Sequence, residues 1–104
     1  MKVTPECTNI VGTLHGGFMA TLFDHLSTLA LNSHFLADGK EVPTSVSIDL
    51  SMTYISGVKD GQRIRMETET LRVGRKMAFL TANIYNQDKN NELVATGKHT
   101  KYIL

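Results

Sequence analysis

Residues 16–36, GGFMATLFDHLSTLALNSHFL, form a stretch that is apolar nearly all the way round if wound into a helix. Such a helix has to be enclosed by other elements, because Leu22, Phe23, Leu26, Leu29, Ala30 and Leu31 leave little of its surface for water. The Gly16-Gly17 pair marks its start, and Asn9, Gly12 and the Thr13-Leu14-His15 run ahead of it read as a loop. Asp24 interrupts the apolar run with a charge that is costly to bury without a partner or a purpose. That places it at a seam between chains or in a cleft.

Four strands are expected after the helix. Val46, Ile48, Leu50, Met52 and Tyr54 alternate with Ser45, Ser47, Asp49, Ser51 and Thr53, the period of a strand with one buried face. Arg63–Val73 alternates in the same way, Met77 to Tyr85 follows the tight Gly74-Arg75-Lys76 connection, and Glu92–Ile103 closes the set after NQDKNN. ADGKEVP separates the helix from the first of these strands. One long apolar helix followed by strands in meander spacing predicts an α+β domain spanning 1–104, with an antiparallel sheet curled about the helix.

The helix start is also a chemical feature. Its first N–H groups lack intrahelical partners, lie at the positive end of the helix dipole, and are unshielded at glycine. They suit the negative oxygen that develops on a carbonyl under attack. Oxyanion donors together with a carboxylate on the same helix point to acyl transfer or hydrolysis. A turn-forming Gly-Gly and an ordinary solvated Asp are the competing explanation. A Ser-His-Asp triad is not indicated, since no nucleophile-elbow pattern surrounds any serine.

The run from Asn9 to Asp24, the strand SVSIDLSMTYIS and the C-terminal ATGKHTKY together resemble the small single-domain hotdog acyl-CoA thioesterases over essentially the whole chain. The resemblance implies the hotdog fold, a long central helix wrapped by a curved antiparallel sheet. It also implies a further N-terminal helix and most of a first strand upstream, with MKV as the end of that strand. Without them a lower melting temperature is expected.

The implied reaction is hydrolysis of medium- to long-chain fatty acyl-CoA to free acid and CoA, with no cofactor. Asp24 would be the general base drawing a proton from water, although direct nucleophilic attack by its carboxylate stays open. The Gly16 N–H would hold the oxyanion. Asn9 would orient the water or the thioester, and His15 would polarise the carbonyl or hold the loop. Ser47 matches a serine that the family places near the carboxylate, and would donate a hydrogen bond to water or to Asp24. Asp49, by its spacing, shares a strand face with Ser47 and is read as a surface or interface residue.

Cations are needed for the CoA phosphates, and Arg72, Arg75, Lys76, Lys98, His99 and Lys101 are the candidates. The resemblance favours Tyr54, Arg72, Lys98 and His99 near the nucleotide or pantetheine. The acyl chain would lie against Phe18, Met19, Leu22 or Phe23. His25, His34 and Cys7 are read as packing or surface residues. Two other functions fit the same features: a hotdog dehydratase or hydratase acting on acyl thioesters, and a non-catalytic acyl-CoA-binding or scaffold module.

Gly16 and Asp24 are eight residues apart, so about 12 Å separates them along a helix rising 1.5 Å per residue. Base and oxyanion donor must each lie within about 3 Å of the reacting groups. A two-fold dimer that presents the helix start of one chain to the helix middle of the other meets that requirement. A homodimer with composite sites is therefore expected, assembled further into a tetramer as a dimer of dimers.

A formal net charge of +1 argues against a nucleic-acid partner. No zinc-ligand spacing is present, and nothing reaches the length of a membrane span. A lone Cys7 rules out an intramolecular disulfide and fits a reducing compartment, so a cytoplasmic or mitochondrial location is expected.

Overall fold

The computed structural model describes residues 1–10 and 12–104; Val11 lies outside the described residues. Helix α1 runs Gly16–Ala37, and the strands are β1 Ser45–Tyr54, β2 Ile64–Val73, β3 Met77–Asn86 and β4 Glu92–Ile103. The sheet is antiparallel in the order β1-β4-β3-β2. The last three strands form the expected meander. The first does not join it through β2, but pairs with β4 and becomes an edge. One helix laid on this sheet is the hotdog arrangement.

The helix buries less of itself than its composition predicts. Met19, Phe23, Ser27 and Leu31, spaced four apart, are its buried residues and define a single stripe. Leu26, Leu29 and Leu36 face outward, Leu29 with 58% of its surface open. The sheet covers one side of α1 and leaves the other bare, where these leucines stand beside Thr21, His25 and Ser33, so enclosure all round is not achieved within one chain.

Two packed clusters hold the layers together. Val3, Leu14, Met19, Val58, Ile64, Ile84, Val94 and Ala95 surround the first half of the helix. Leu31, Ala78, Leu80 and Ile103 surround the second half. Residues at the N-terminus contribute to the first: Lys2 forms a single antiparallel bridge with Arg63, and Val3 is fully buried. Met1 to Val3 thus lie along the start of β2.

β1 departs from its alternation. The register with β4 slips between Ser47 and Asp49, leaving Ile48 as an extra residue. Before the slip Ser45 and Ser47 oppose the buried Ile103 and Lys101; after it Leu50 opposes the buried His99. A bulge of one residue reverses which side chains face the helix. Ser47 is thereby turned to the helix side, while Asp49, opposite Thr100, takes the other face. The two do not share a face, contrary to the spacing. Nor does β1 bury one face in a single chain, since Val46, Ile48, Leu50 and Tyr54 are all exposed.

Candidate active site

The helix start is capped by its own neighbours and braced by the segment from Tyr54 to Lys59. His15 is the N-cap, and its Nδ1 accepts hydrogen bonds from the Gly17 N–H at 2.9 Å and the Phe18 N–H at 3.4 Å. An acceptor at Nδ1 puts the ring proton of neutral His15 on Nε2. Gly17 lets this cap form without displacing the ring, since a Cβ there would sit 2.9 Å from the His15 ring. Gly16 makes room for a second ring: its Cβ would lie 3.2 Å from Tyr54, whose hydroxyl donates to the Gly16 carbonyl at 2.7 Å. With His15 occupying the next two donors, the Gly16 N–H is left without a partner among the described residues.

The loop is tied down by Asn9. Its side chain donates to Thr13 Oγ1 at 3.0 Å and accepts from the Thr13 N–H at 3.2 Å, closing a turn over residues 9–13. Asn9, Gly16 and Tyr54 line one open pocket of about 350 Å³, together with Thr13, Met19 and Ser56.

The middle of the helix carries a different assembly. His99 reaches it from β4 and is 1% exposed, with Phe23 edge-on to its ring at 5.8 Å between centroids. Phe23 reaches that position because β4 has glycine at 97, where a Cβ would meet the Phe23 ring at 2.5 Å. Both nitrogens of the imidazole are engaged: Nδ1 with Ser27 Oγ at 2.8 Å, and Nε2 with Ser47 Oγ at 2.7 Å. Asp24 Oδ1 stands 3.8 Å from Nε2, and its side chain is 47% exposed.

Burial, and then the positive charge of Lys101, push the His99 pKa below its usual 6.5, against the smaller pull of Asp24 and Asp49. The ring is neutral near pH 7, so the Asp24–His99 approach is not an ion pair there. It is also too long for a hydrogen bond. The carboxylate therefore remains open on its solvent side.

The next helical turn is clamped to the sheet. Thr28 Oγ1 donates to the Asp24 carbonyl at 2.7 Å and accepts from the buried Lys101 ammonium at 2.9 Å. Lys101 is thus a structural donor under the helix, and does not present its charge to a phosphate. His99 likewise has no free nitrogen for a nucleotide or pantetheine; it belongs to the Asp24 cluster.

Of the other expected binding residues, Lys98 is exposed on the sheet face away from α1, opposite Ser51. Arg72 is exposed on β2, across the sheet from β1. Neither is brought to Asp24 within one chain. Met19 and Phe23 are core residues, which leaves the half-buried Phe18 and Leu22 as apolar surface. Leu22 and Leu26 line a groove of about 270 Å³ with Ile64 and Met66.

Sequence reasoning missed Ser27, and read Lys101 only as a phosphate cation. Hydroxyl residues three and four positions after Asp24, on an otherwise apolar helix, were the available signal.

A sheet wrapped on one helix, with the Gly16 N–H open at the helix start and a carboxylate, serine and histidine at its middle, defines a hotdog thioesterase. Residues 11–92 match the thioesterase superfamily, and the chain belongs to it. It is 41% identical over 103 residues to acyl-coenzyme A thioesterase 13 of Homo sapiens, covering 99% of this chain and 69% of that protein. The crystal structure of zebra fish thioesterase superfamily member 2 superposes with a TM-score of 0.89 at 39% identity, over 100% of this chain and 71% of the other. The Mus musculus thioesterase superfamily member 2 structure gives 0.82 at 38%, over 98% and 70%.

Proposed function

We propose that this protein hydrolyses fatty acyl-CoA thioesters to free acid and CoA, with Asp24 as general base. The observation that carries the reading is the half-open Asp24 carboxylate beside a neutral, buried His99 that binds Ser47. The relatives named acyl-coenzyme A thioesterase support the substrate class.

In this mechanism Asp24 takes a proton from water as the water oxygen bonds to the thioester carbon. The carbonyl electron pair moves onto oxygen, where a Gly16 N–H stabilises it. Collapse of the tetrahedral adduct breaks the C–S bond, and the proton on Asp24 passes to the departing thiolate. Asn9 and His15 hold the oxyanion loop in register, and Tyr54 braces it. Phe18 and Leu22 offer apolar cover to the acyl chain, while Lys98 and Arg72 would meet the CoA phosphates from outside the Asp24 cluster.

The helix puts the Gly16 N–H and Asp24 about 12 Å apart, so the working site combines two chains. The edge strand β1 supports this. It is 10 residues long, unpaired on its outer side among the described residues, and exposes Val46, Ile48 and Leu50. An edge of that kind is covered in a working protein, here by a second copy. Native mass measurement distinguishes the dimer from the dimer of dimers.

The activity is tested by thiol release from acyl-CoAs of rising chain length, with the product mass recorded. Free acid and CoA are expected; a hydrated or dehydrated thioester, or binding without turnover, overturns the proposal. The shared site is tested by subunit exchange between Asp24→Asn and Asn9→Ala chains. Mixed dimers contain one intact site and should recover towards half the activity per dimer. Continued inactivity after proven exchange counts against sites shared between chains.

A further inference from the structure

We infer that Ser27, a buried residue that touches no substrate-facing surface, is a positioning residue that sets the tautomer of His99 and thereby makes Ser47 an acceptor toward the attacking water. The inference rests on the hydrolase reading for its catalytic consequence, but the tautomer itself does not.

Ser27 Oγ lies 2.6 Å from the Phe23 carbonyl oxygen, 3.3 Å from the Asp24 carbonyl oxygen and 2.8 Å from His99 Nδ1. A hydroxyl has one proton, and a carbonyl oxygen can only accept. At 2.6 Å two oxygens without a proton between them repel, so the Ser27 proton is committed to Phe23. Ser27 Oγ then faces His99 with lone pairs alone, and the imidazole must supply the proton from Nδ1.

Neutral imidazole carries one ring proton, so Nε2 is bare. Ser47 Oγ, at 2.7 Å, consequently donates to Nε2. This reverses the role expected for Ser47 from its position near the carboxylate. Its proton is used up inside the protein, and only its lone pairs remain for anything outside.

A hydrolytic water benefits from that polarity. It has two protons to place and one lone pair to aim at the thioester carbon. Asp24 takes one proton in the reaction, and Ser47 Oγ, as a fixed acceptor, holds the other. In the alternative tautomer Nε2–H would donate to Ser47 or to Asp24 Oδ1, which stands 3.8 Å away. Ser47 would then turn its own proton outward, against the water, and the base would be partly quenched.

The groups that bear on the ring are Asp24 from α1, Asp49 from β1 and Lys101 from β4. None of them fixes the position of the ring proton as the contact with Ser27 does.

Long-range proton–nitrogen NMR on the full chain reads the tautomer, with the His99 signals assigned by their loss in His99→Gln. A protonated Nδ1 and a bare Nε2 are expected in the unaltered protein. In Ser27→Ala the ring should shift toward Nε2–H, with kcat for thiol release falling about 10- to 100-fold and KM nearly unchanged. Ser27→Thr, which keeps the hydroxyl, should restore both; Ser27→Cys, close in volume but a poor acceptor, should behave as Ala and controls for packing. A bare Nδ1 in an active enzyme, or an Ala variant with unchanged tautomer and kcat, overturns the assignment of Ser27. Absence of thiol release from the unaltered chain, with the tautomer as assigned, overturns the hydrolase reading and with it the catalytic consequence drawn here.

Discussion

The two ends of the proposed chemistry, the helix start and the helix middle, are assembled in opposite ways. At the start, the Asn9–Thr13 turn and the His15 cap connect residues no more than four apart, and the segment from Tyr54 to Lys59 braces them from a distance through backbone pairing and one tyrosine hydroxyl. At the middle, His99 meets Ser27 and Ser47 across sequence separations of 72 and 52 residues, and Lys101 meets Thr28 across 73. The start is exposed and fixed by its capped loop. The middle is buried, satisfied on both ring nitrogens, and cannot move without disturbing β4. A donor for a developing charge and a base with the water it activates both depend on a fixed frame, supplied by local capping at the start and by long-range packing at the middle.

The comparison can be broken most sharply at Asp24. Asp24→Asn keeps the shape but not the basicity, so kcat is expected to fall by about 10² to 10⁴. The melting temperature should hardly change, because the side chain is half open and forms no close bond. Near-normal turnover in this variant would move the chemistry away from the helix middle.

His99→Ala tests whether the middle is also the more costly to disturb. It empties a fully packed site and removes the partner of both Ser27 and Ser47. A loss of roughly 2–4 kcal/mol is expected by chemical denaturation. A loss under 1 kcal/mol would mean that the network contributes little to the fold.

The matching change at the helix start is His15→Ala, which removes a cap and leaves the core alone. Its expected cost is about 1 kcal/mol, with the His99 NMR signals undisturbed. A cost equal to that of His99→Ala would erase the contrast between the two regions.

The smallest effect is that of pH on stability. His99 has its pKa lowered in the fold, so the unfolded chain binds a proton more readily. The stability due to the neutral ring is present above the usual 6.5, and is lost as pH falls from there through the lowered value. Unfolding free energies of the native chain and of His99→Gln, compared across this range, should converge as pH drops. Parallel curves would show that the ring is not held neutral by its surroundings.

Much of this was readable in the residues. The glycine pair and the apolar run located the helix, and with Asp24 they named the two points proposed for chemistry, because capping and helical rise are local properties. The β4 limits, Glu92 and Ile103, and the limits of β1 followed from turn residues and alternation. What the alternation could not reveal was the bulge beside Ile48. A one-residue slip depends on the partner strand, and it decides that Ser47 faces the helix while Asp49 does not. For the same reason His99 and Lys101 looked like surface cations: on an unpaired strand nothing says which parity is buried.

The sequence by itself determined one helix, four strands, a donor-rich helix start and a carboxylate two turns on, since each depends on neighbours within a turn or a strand. Only the tertiary structure decided that β1 pairs with β4, that the bulge turns Ser47 inward, and that Ser27, His99 and Ser47 form one chain of hydrogen bonds. Those outcomes depend on which residues from distant segments share a buried space, and a buried polar group takes its role from the partners it finds there.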